Sequence, residues 1–261
     1  MRLLKKSLGQ NFLIDKNVIS KITHLTEVKN KNIIEIGPGN GALTENLLNQ
    51  KPKTLNLIEK DNFFAEELKK KYSSNKIVTI YNFDVLKFNI EQIIKKNTVI
   101  FGNLPYNISS QILVKILRIK NQPAKYKDII FMFQKELGEK ISSIFPDKNY
   151  GRLSILSSYK LDIHKKFIVS PYCFFPRPNV TSMVIHFKSK KKELFRIKNI
   201  QNLEKITNIF FSNRRKMINK NIKKIINQKK IDQISNLNLN IRPSDVSPEI
   251  YYKITELFED N

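Results

Sequence analysis

The sequence predicts an α/β protein: an open, mostly parallel sheet of seven strands with helices on both faces, followed by a small all-helical C-terminal domain. Three observations carry this expectation. Seven short apolar runs recur within the first 187 residues. Stretches with helical spacing separate the first five of them. All seven glycines lie at or before Gly151, and no strand-like run follows Phe187.

The first five runs are NIIEI (32–36), TLNLIE (54–59), KIVTIY (76–81), TVIF (98–101) and DIIFMF (128–133). They are rich in β-branched and aromatic residues and too short for buried helices, so they read as strands. Residues 42–48, 63–71 and 111–119 have apolar residues at helical spacing. Strands that alternate with helices pair in parallel, with the helices packed on both faces. The last two runs, KFIV (166–169) and SMVIHF (182–187), are separated by SPYCFFPRPNV, which holds three prolines and no helical pattern. They are expected to pair as an antiparallel hairpin at one edge. From Leu203 onward, Leu203, Ile206, Phe210, Met217, Ile218, Ile222, Ile225 and Ile226 recur at roughly helical spacing. A catalytic domain over 1–187 and a helical, basic domain over 188–261 are therefore expected, and one helix should carry Phe210 and Phe211 on into Arg214, Arg215 and Lys216.

Composition narrows the chemistry. No segment of the 261 residues approaches the roughly 18 uninterrupted apolar residues of a membrane span. The basic N-terminus has no apolar core of secretory length, so the chain is expected to be cytoplasmic. Cys173 is the only cysteine, and His24, His164 and His186 show no metal-ligand spacing, so neither a disulfide framework nor a metal site is expected.

The formal net charge of +24 points to a polyanionic partner, because neutralised phosphates release counterions. An excess of 39 Lys over 8 Arg, with 29 Asn, is also what an A/T-rich coding sequence produces. Location is the better evidence: residues 188–230 hold 15 Lys and Arg against only Glu193 and Glu204. Arg214, Arg215, Lys216 and Lys220 are the expected phosphate contacts.

The first strand runs into EIGPGNGAL, where Gly37, Gly39 and Gly41 allow a tight turn and a close approach of backbone to ligand. Read with Ala42, the loop also fits the dinucleotide pattern GxGxxA, so by itself it specifies only a nucleotide-like ligand. Glu59 ends the second strand, 22 residues after Gly37, where a carboxylate can accept from ribose hydroxyls. Asp84 follows the third strand and can accept from an adenine amino group. The fourth strand leads into NLPY: Asn103, Leu104, Pro105 and Tyr106.

These motifs, together with GQNFL (9–13), YGRLSIL (150–156), FFPRPNVTS (174–182), NRRK (213–216) and RPSDVS (242–247), resemble the S-adenosylmethionine-dependent adenine-N6 dimethyltransferases of ribosomal RNA, of the KsgA type. The resemblance runs nearly end to end. It implies a Rossmann-like class I methyltransferase fold, no metal, and two methyl groups on each of two adjacent adenosines near the 3′ end of small-subunit ribosomal RNA. The implied substrate is that RNA or an immature small subunit, with no obligate protein partner.

By resemblance Asn11 and Leu13 contact the donor at the mouth of its site, Gly37 and Gly39 back its methionine part, Glu59 holds the ribose and Asp84 the adenine. Asn103 is shared between donor and target amine, a carbonyl of Leu104 or Pro105 accepts the second N–H, and Tyr106 stacks on the extruded base. Phe174 is the expected aromatic for the base's other face. The large-subunit enzymes of the macrolide-resistance type share most of these motifs; YGRLS and RPSDVS favour the small-subunit type. Two further readings are a nicotinamide-dependent dehydrogenase on the same glycine loop, for which NLPY has no use, and a non-catalytic RNA-binding assembly factor. The family pattern FxPxPKVxS usually has Lys where this chain has Asn179, and often Asp where it has Thr181, which removes one implied phosphate contact.

Overall fold

A computed structural model describes residues 11–120, 125–190, 194–235 and 237–260. Gly9 and Gln10 of the GQNFL motif and residues 191–193 of the basic run lie outside the described residues.

The chain opens with β1 (Phe12–Leu13), α1 (Lys16–Thr23), β2 (Asn32–Ile36), α2 (Ala42–Asn49), β3 (Thr54–Glu59), α3 (Asn62–Lys71) and β4 (Val78–Asn82). It continues through β5 (Thr98–Asn103), α4 (Ser109–Leu117), β6 (Tyr126–Gln134), α5 (Lys135–Ile141), α6 (Arg152–Lys160), β7 (Leu161–Val169), β8 (Phe174–Phe175) and β9 (Ser182–Ser189). The remaining helices are α7 (Ile200–Phe211), α8 (Asn219–Ile222), α9 (Gln228–Ile231) and α10 (Pro248–Glu259).

Two compact units result. The first comprises residues up to Lys115, Ile119–Gly138 and Asp162–Ser189. Its seven-stranded sheet has the order β4-β3-β2-β5-β6-β9-β7. β2 through β6 run parallel, and β9 joins β6 antiparallel. The two runs expected to form an edge hairpin are neighbours at that edge, with β7 outermost and starting at Leu161, earlier than expected. All of Thr98 to Gly102 is buried, because helices cover both faces of the central strands. Ile19, Ile22, Leu43, Leu47 and Leu68 from α1, α2 and α3 share a core with Leu55, Leu57, Val99 and Phe101. The chain leaves β2 toward β3 and β4, then returns to β5 on the opposite side. The strand order therefore reverses between β2 and β5, the point where open α/β sheets bind ligands outside the carboxyl ends of the strands.

A small second sheet lay beyond the reach of local patterns: β1 pairs antiparallel with β8, Phe12 opposite Phe175 and Leu13 opposite Phe174.

The second unit comprises Ile116–Arg118, Glu139–Leu161 and Lys190–Asn261. A single boundary near Lys188 is thus corrected, because residues 139–161 group with the C-terminal helices. Within the unit Tyr150 Oη donates to the Val246 carbonyl at 3.0 Å, and Tyr252 Oη donates to the Ile155 carbonyl at 2.9 Å. The YGRLSIL and RPSDVS motifs are therefore partners. The single helix expected to carry Phe210 and Phe211 on into Arg214, Arg215 and Lys216 is also corrected. α7 stops at Phe211, and Ser212 to Lys216 form a turn closed by Lys216 N–H donating to the Asn213 carbonyl. The short polar side chains of SNRRK compete for backbone partners, and Ser212 Oγ does so with the Ile209 carbonyl at 2.9 Å.

Candidate active site

Parallel strands bring their carboxyl ends to one edge, and register makes the alignment close. Ile36 lies opposite both Ile58 and Gly102, and Glu59 opposite Asn82. The residues that follow or end these strands, Gly37, Glu59, Asp84 and Asn103, therefore face one cleft, which encloses about 1110 Å³ of non-protein space partly open to solvent.

The glycine loop forms the floor. Gly37 and Gly39 hold φ of +67° and +54°, a region that L side chains rarely adopt. A Cβ at Gly39 would also stand 2.7 Å from the Phe12 ring. The Gly39 N–H donates to Glu59 Oε2 at 3.0 Å, while Glu59 Oε1 accepts from the Asp61 N–H at 2.8 Å. Burial pushes the Glu59 carboxyl above its ordinary pKa, against these N–H bonds, which lower it. Asp84 is the opposite case: Lys60, 2.8 Å away, holds its carboxyl below the ordinary value. Asp84 Oδ1 also accepts from the Leu86 N–H at 2.9 Å.

Two cleft residues escaped the sequence reading. Glu35 is buried at the floor, its Oε2 accepting from Thr44 Oγ1 at 2.7 Å. Burial raises its pKa from 4.5 to about 8, although the Thr44 bond opposes the shift. A lone carboxylate inside the apolar run NIIEI was the available signal. Phe83, beside Asp84, also lines the cleft and is half exposed.

NLPY forms the opposite wall. Asn103 Nδ2 donates to the Asn11 carbonyl at 3.1 Å. Leu104 is buried, its side chain folded so tightly onto Gly102 that a Cβ there would meet it at 2.5 Å. The Pro105 carbonyl accepts from the Ile108 N–H at 3.2 Å. Tyr106 Oη and Ser182 Oγ lie 2.6 Å apart, and Ser182 is fully buried. Burial raises the Tyr106 pKa while this bond lowers it, so the phenol stays protonated at neutral pH.

Asn11 and Leu13 line the cleft, Leu13 with its side chain in the core. Phe174 is corrected: it is 3% exposed and packs in the same core as Leu13, whereas Phe175 is 53% exposed. Successive strand residues point to opposite faces, and here the second phenylalanine is the one that faces out. Arg214, Arg215, Lys216 and Lys220 are all exposed on the second unit. Arg214 Nη2 also donates to the Tyr150 carbonyl at 3.3 Å.

Among the described residues no helix is long and apolar enough to cross a membrane, and no three His, Cys, Asp or Glu side chains gather as a metal site.

The profile of the family described as Ribosomal RNA adenine dimethylase matches residues 1–260. A protein of Pelagibacter ubique named Ribosomal RNA small subunit methyltransferase A is 44% identical over 257 residues, 98% of this chain and 97% of its own length. A protein of the same name from Malacoplasma penetrans is 38% identical over 260 residues, 98% of this chain and 92% of its own. Among solved structures, a dimethyladenosine transferase from Plasmodium falciparum superposes with a TM-score of 0.78 at 24% identity, covering 95% of this chain and 98% of its own. The 23S rRNA methyltransferase ErmE superposes at 0.68 with 20% identity, covering 95% and 100%. Both structural likenesses speak to the fold.

Proposed function

The chain belongs to the ribosomal RNA adenine dimethylase family, and from that premise we propose that it transfers methyl groups from S-adenosylmethionine to the N6 amino group of adenosines in small-subunit ribosomal RNA. The product is N6,N6-dimethyladenosine, at two adjacent positions near the RNA's 3′ end. The work is done where ribosomes assemble, in the cytoplasm.

The cleft fits the donor. Left-handed Gly37 and Gly39 leave the room that side chains would fill, and the Glu59 and Asp84 carboxylates line the same cleft at or just after the ends of successive strands. The donor supplies an electrophilic sulfonium methyl and leaves as a neutral thioether, the electrons of the broken C–S bond staying on sulfur.

The N6 lone pair of adenine is delocalised into the ring, so the nitrogen is a poor nucleophile until its N–H bonds are redirected. The observation that carries the reading is the state of Asn103: its amide nitrogen is committed to the Asn11 carbonyl, which leaves Oδ1 to accept one N6–H. A backbone carbonyl of Leu104 or of Pro105, which already accepts from the Ile108 N–H, takes the second N–H. Two fixed acceptors favour a pyramidal nitrogen with its lone pair aimed at the methyl carbon. After the N–C bond forms the nitrogen is cationic and acidic, and its proton passes to water without a strong base. The Tyr106 ring, pinned through Ser182, supplies the stacking face for the extruded base.

Incubation of the protein with labelled donor and separated ribosomal subunits lacking the modification tests this. Label on small-subunit adenosine N6 is expected. Label confined to the large subunit would replace the reading with a macrolide-resistance-type activity, and RNA binding without transfer would favour a non-catalytic assembly factor.

A further inference from the structure

We propose that Tyr172, Phe175 and Arg177 form a stacking platform at the rim of the cleft that holds an unpaired nucleotide next to the target adenosine; this rests on the function proposed above.

Directly opposed residues of an antiparallel pair project from the same face, and Phe12 is opposite Phe175. The face of Phe12 is the cleft face, since its ring lies against Gly39 and lines the cleft. The other face, Leu13 and Phe174, is sealed in the core. Phe175 therefore emerges on the cleft side, 53% exposed. Three residues earlier in the same segment, Tyr172 is 72% exposed, with the Arg177 guanidinium 3.7 Å from its ring centroid. Pro171, Pro176 and Pro178 restrict the backbone that presents these three planar groups. At its far end the same segment reaches Ser182, which grips Tyr106. The platform is thus joined through the chain to the wall of the reaction site.

The chemistry selects the occupant. Exposed aromatic rings with a stacked guanidinium match a nucleobase, which offers a π-face, and the adjoining phosphate, which pairs with the cation. No acidic residue occurs between Asp162 and Glu193, so the segment's own formal charge is positive; Asp15, from the N-terminal segment, stands 3.8 Å from Cys173 Sγ. An extruded adenosine leaves its neighbours unstacked, and a planar surface beside the cleft replaces the lost stacking.

The test uses Tyr172→Leu, Phe175→Leu and Arg177→Gln, singly and together, with donor affinity, melting temperature and KM for unmodified small subunits measured for each. A short RNA bearing 2-aminopurine beside the target adenosine reports stacking directly. The triple variant is expected to raise KM for the particle by about five- to one-hundred-fold, the range for one base stacked on an aromatic, with donor affinity unchanged. Fluorescence quenching of 2-aminopurine should be lost with Tyr172→Leu and restored by Tyr172→Phe. Wild-type KM and wild-type quenching in a folded triple variant would overturn the platform. If the wild-type protein methylates no subunit, the function reading fails instead. RNA affinity and quenching then decide the platform: unchanged values in the triple variant overturn it, lower values support it.

Discussion

Asn103 Nδ2 donates to the backbone carbonyl of Asn11 at 3.1 Å, across 92 positions of sequence. The N-terminal strand, itself held by Phe174 and Phe175, thus fixes which end of the Asn103 amide faces the reaction. Asn103→Ala should lower kcat by about two or more orders of magnitude with RNA affinity nearly retained, because the amide acts mainly in the transition state. Asn103→Asp cannot donate to Asn11 and should be comparably impaired. A kcat within tenfold of wild type in both would remove Asn103 from the mechanism.

The Tyr106–Ser182 bond ties the stacking ring to β9. Tyr106→Ala should abolish most activity, since a stacked base is worth roughly 1–3 kcal/mol. Tyr106→Phe keeps the ring and should be milder, and Ser182→Ala, which frees the same hydroxyl, should match it. Equal loss in Tyr106→Phe and Tyr106→Ala would show that the hydroxyl rather than the ring matters.

Glu59→Ala and Asp84→Ala should each weaken S-adenosylmethionine binding by about 1–3 kcal/mol in calorimetric titration, because each strands polar groups of the ligand. Glu59 also accepts from Gly39 and Asp61, so its loss should lower the melting temperature more than the loss of Asp84, whose protein partners are the half-exposed Lys60 and one backbone N–H. Unchanged donor affinity in both would end the assignment.

Glu35 makes stability depend on pH. Its carboxyl is raised from 4.5 to about 8 by burial, so between those values the folded state binds the extra proton. Stability should therefore fall as pH rises from about 4.5 through about 8, then level, by an amount on the order of a few kcal/mol. Glu35→Gln keeps a neutral partner for Thr44 and should flatten most of that slope, with Glu59 contributing a remainder of the same sign. Parallel slopes in urea titrations of the two proteins would show that Glu35 is ionised throughout.

Arg214, Arg215 and Lys216 sit on an exposed turn after α7. Changing all three to Gln should leave donor affinity intact, weaken RNA binding and flatten its salt dependence by about one unit of log-log slope per lost contact. Arg214 also bonds the Tyr150 carbonyl, so a modest drop in melting temperature should accompany that variant and not Arg215→Gln alone. An unchanged salt slope in the folded triple variant would exclude this turn as an RNA surface.

Local pattern was enough for the sheet. NIIEI and TLNLIE became β2 and β3 at the expected residues, because an apolar run buried on both faces states its own conformation. The same logic placed Glu59, Asp84 and NLPY at one edge, since successive parallel strands must end on the same side. Even the failure at Phe211 was local in cause: periodicity alone ran through SNRRK, whose short polar side chains favour a turn over helix. Other features have no local signature at all. Which of Phe174 and Phe175 faces the cleft depends on pairing with Phe12, more than 160 positions away. Residues 139–161 join the C-terminal unit through Tyr150 and Tyr252, whose hydroxyls find carbonyls 96 and 97 positions distant. Sequence periodicity reports which side of an element is apolar, and it determined the strands, the glycine loop and the residue types of the site. The partner that covers an apolar side, or that satisfies a buried amide or phenol, is chosen when the whole chain closes. Tertiary structure alone therefore decided the orientation of Asn103, the anchoring of Tyr106 and the exposed face of β8.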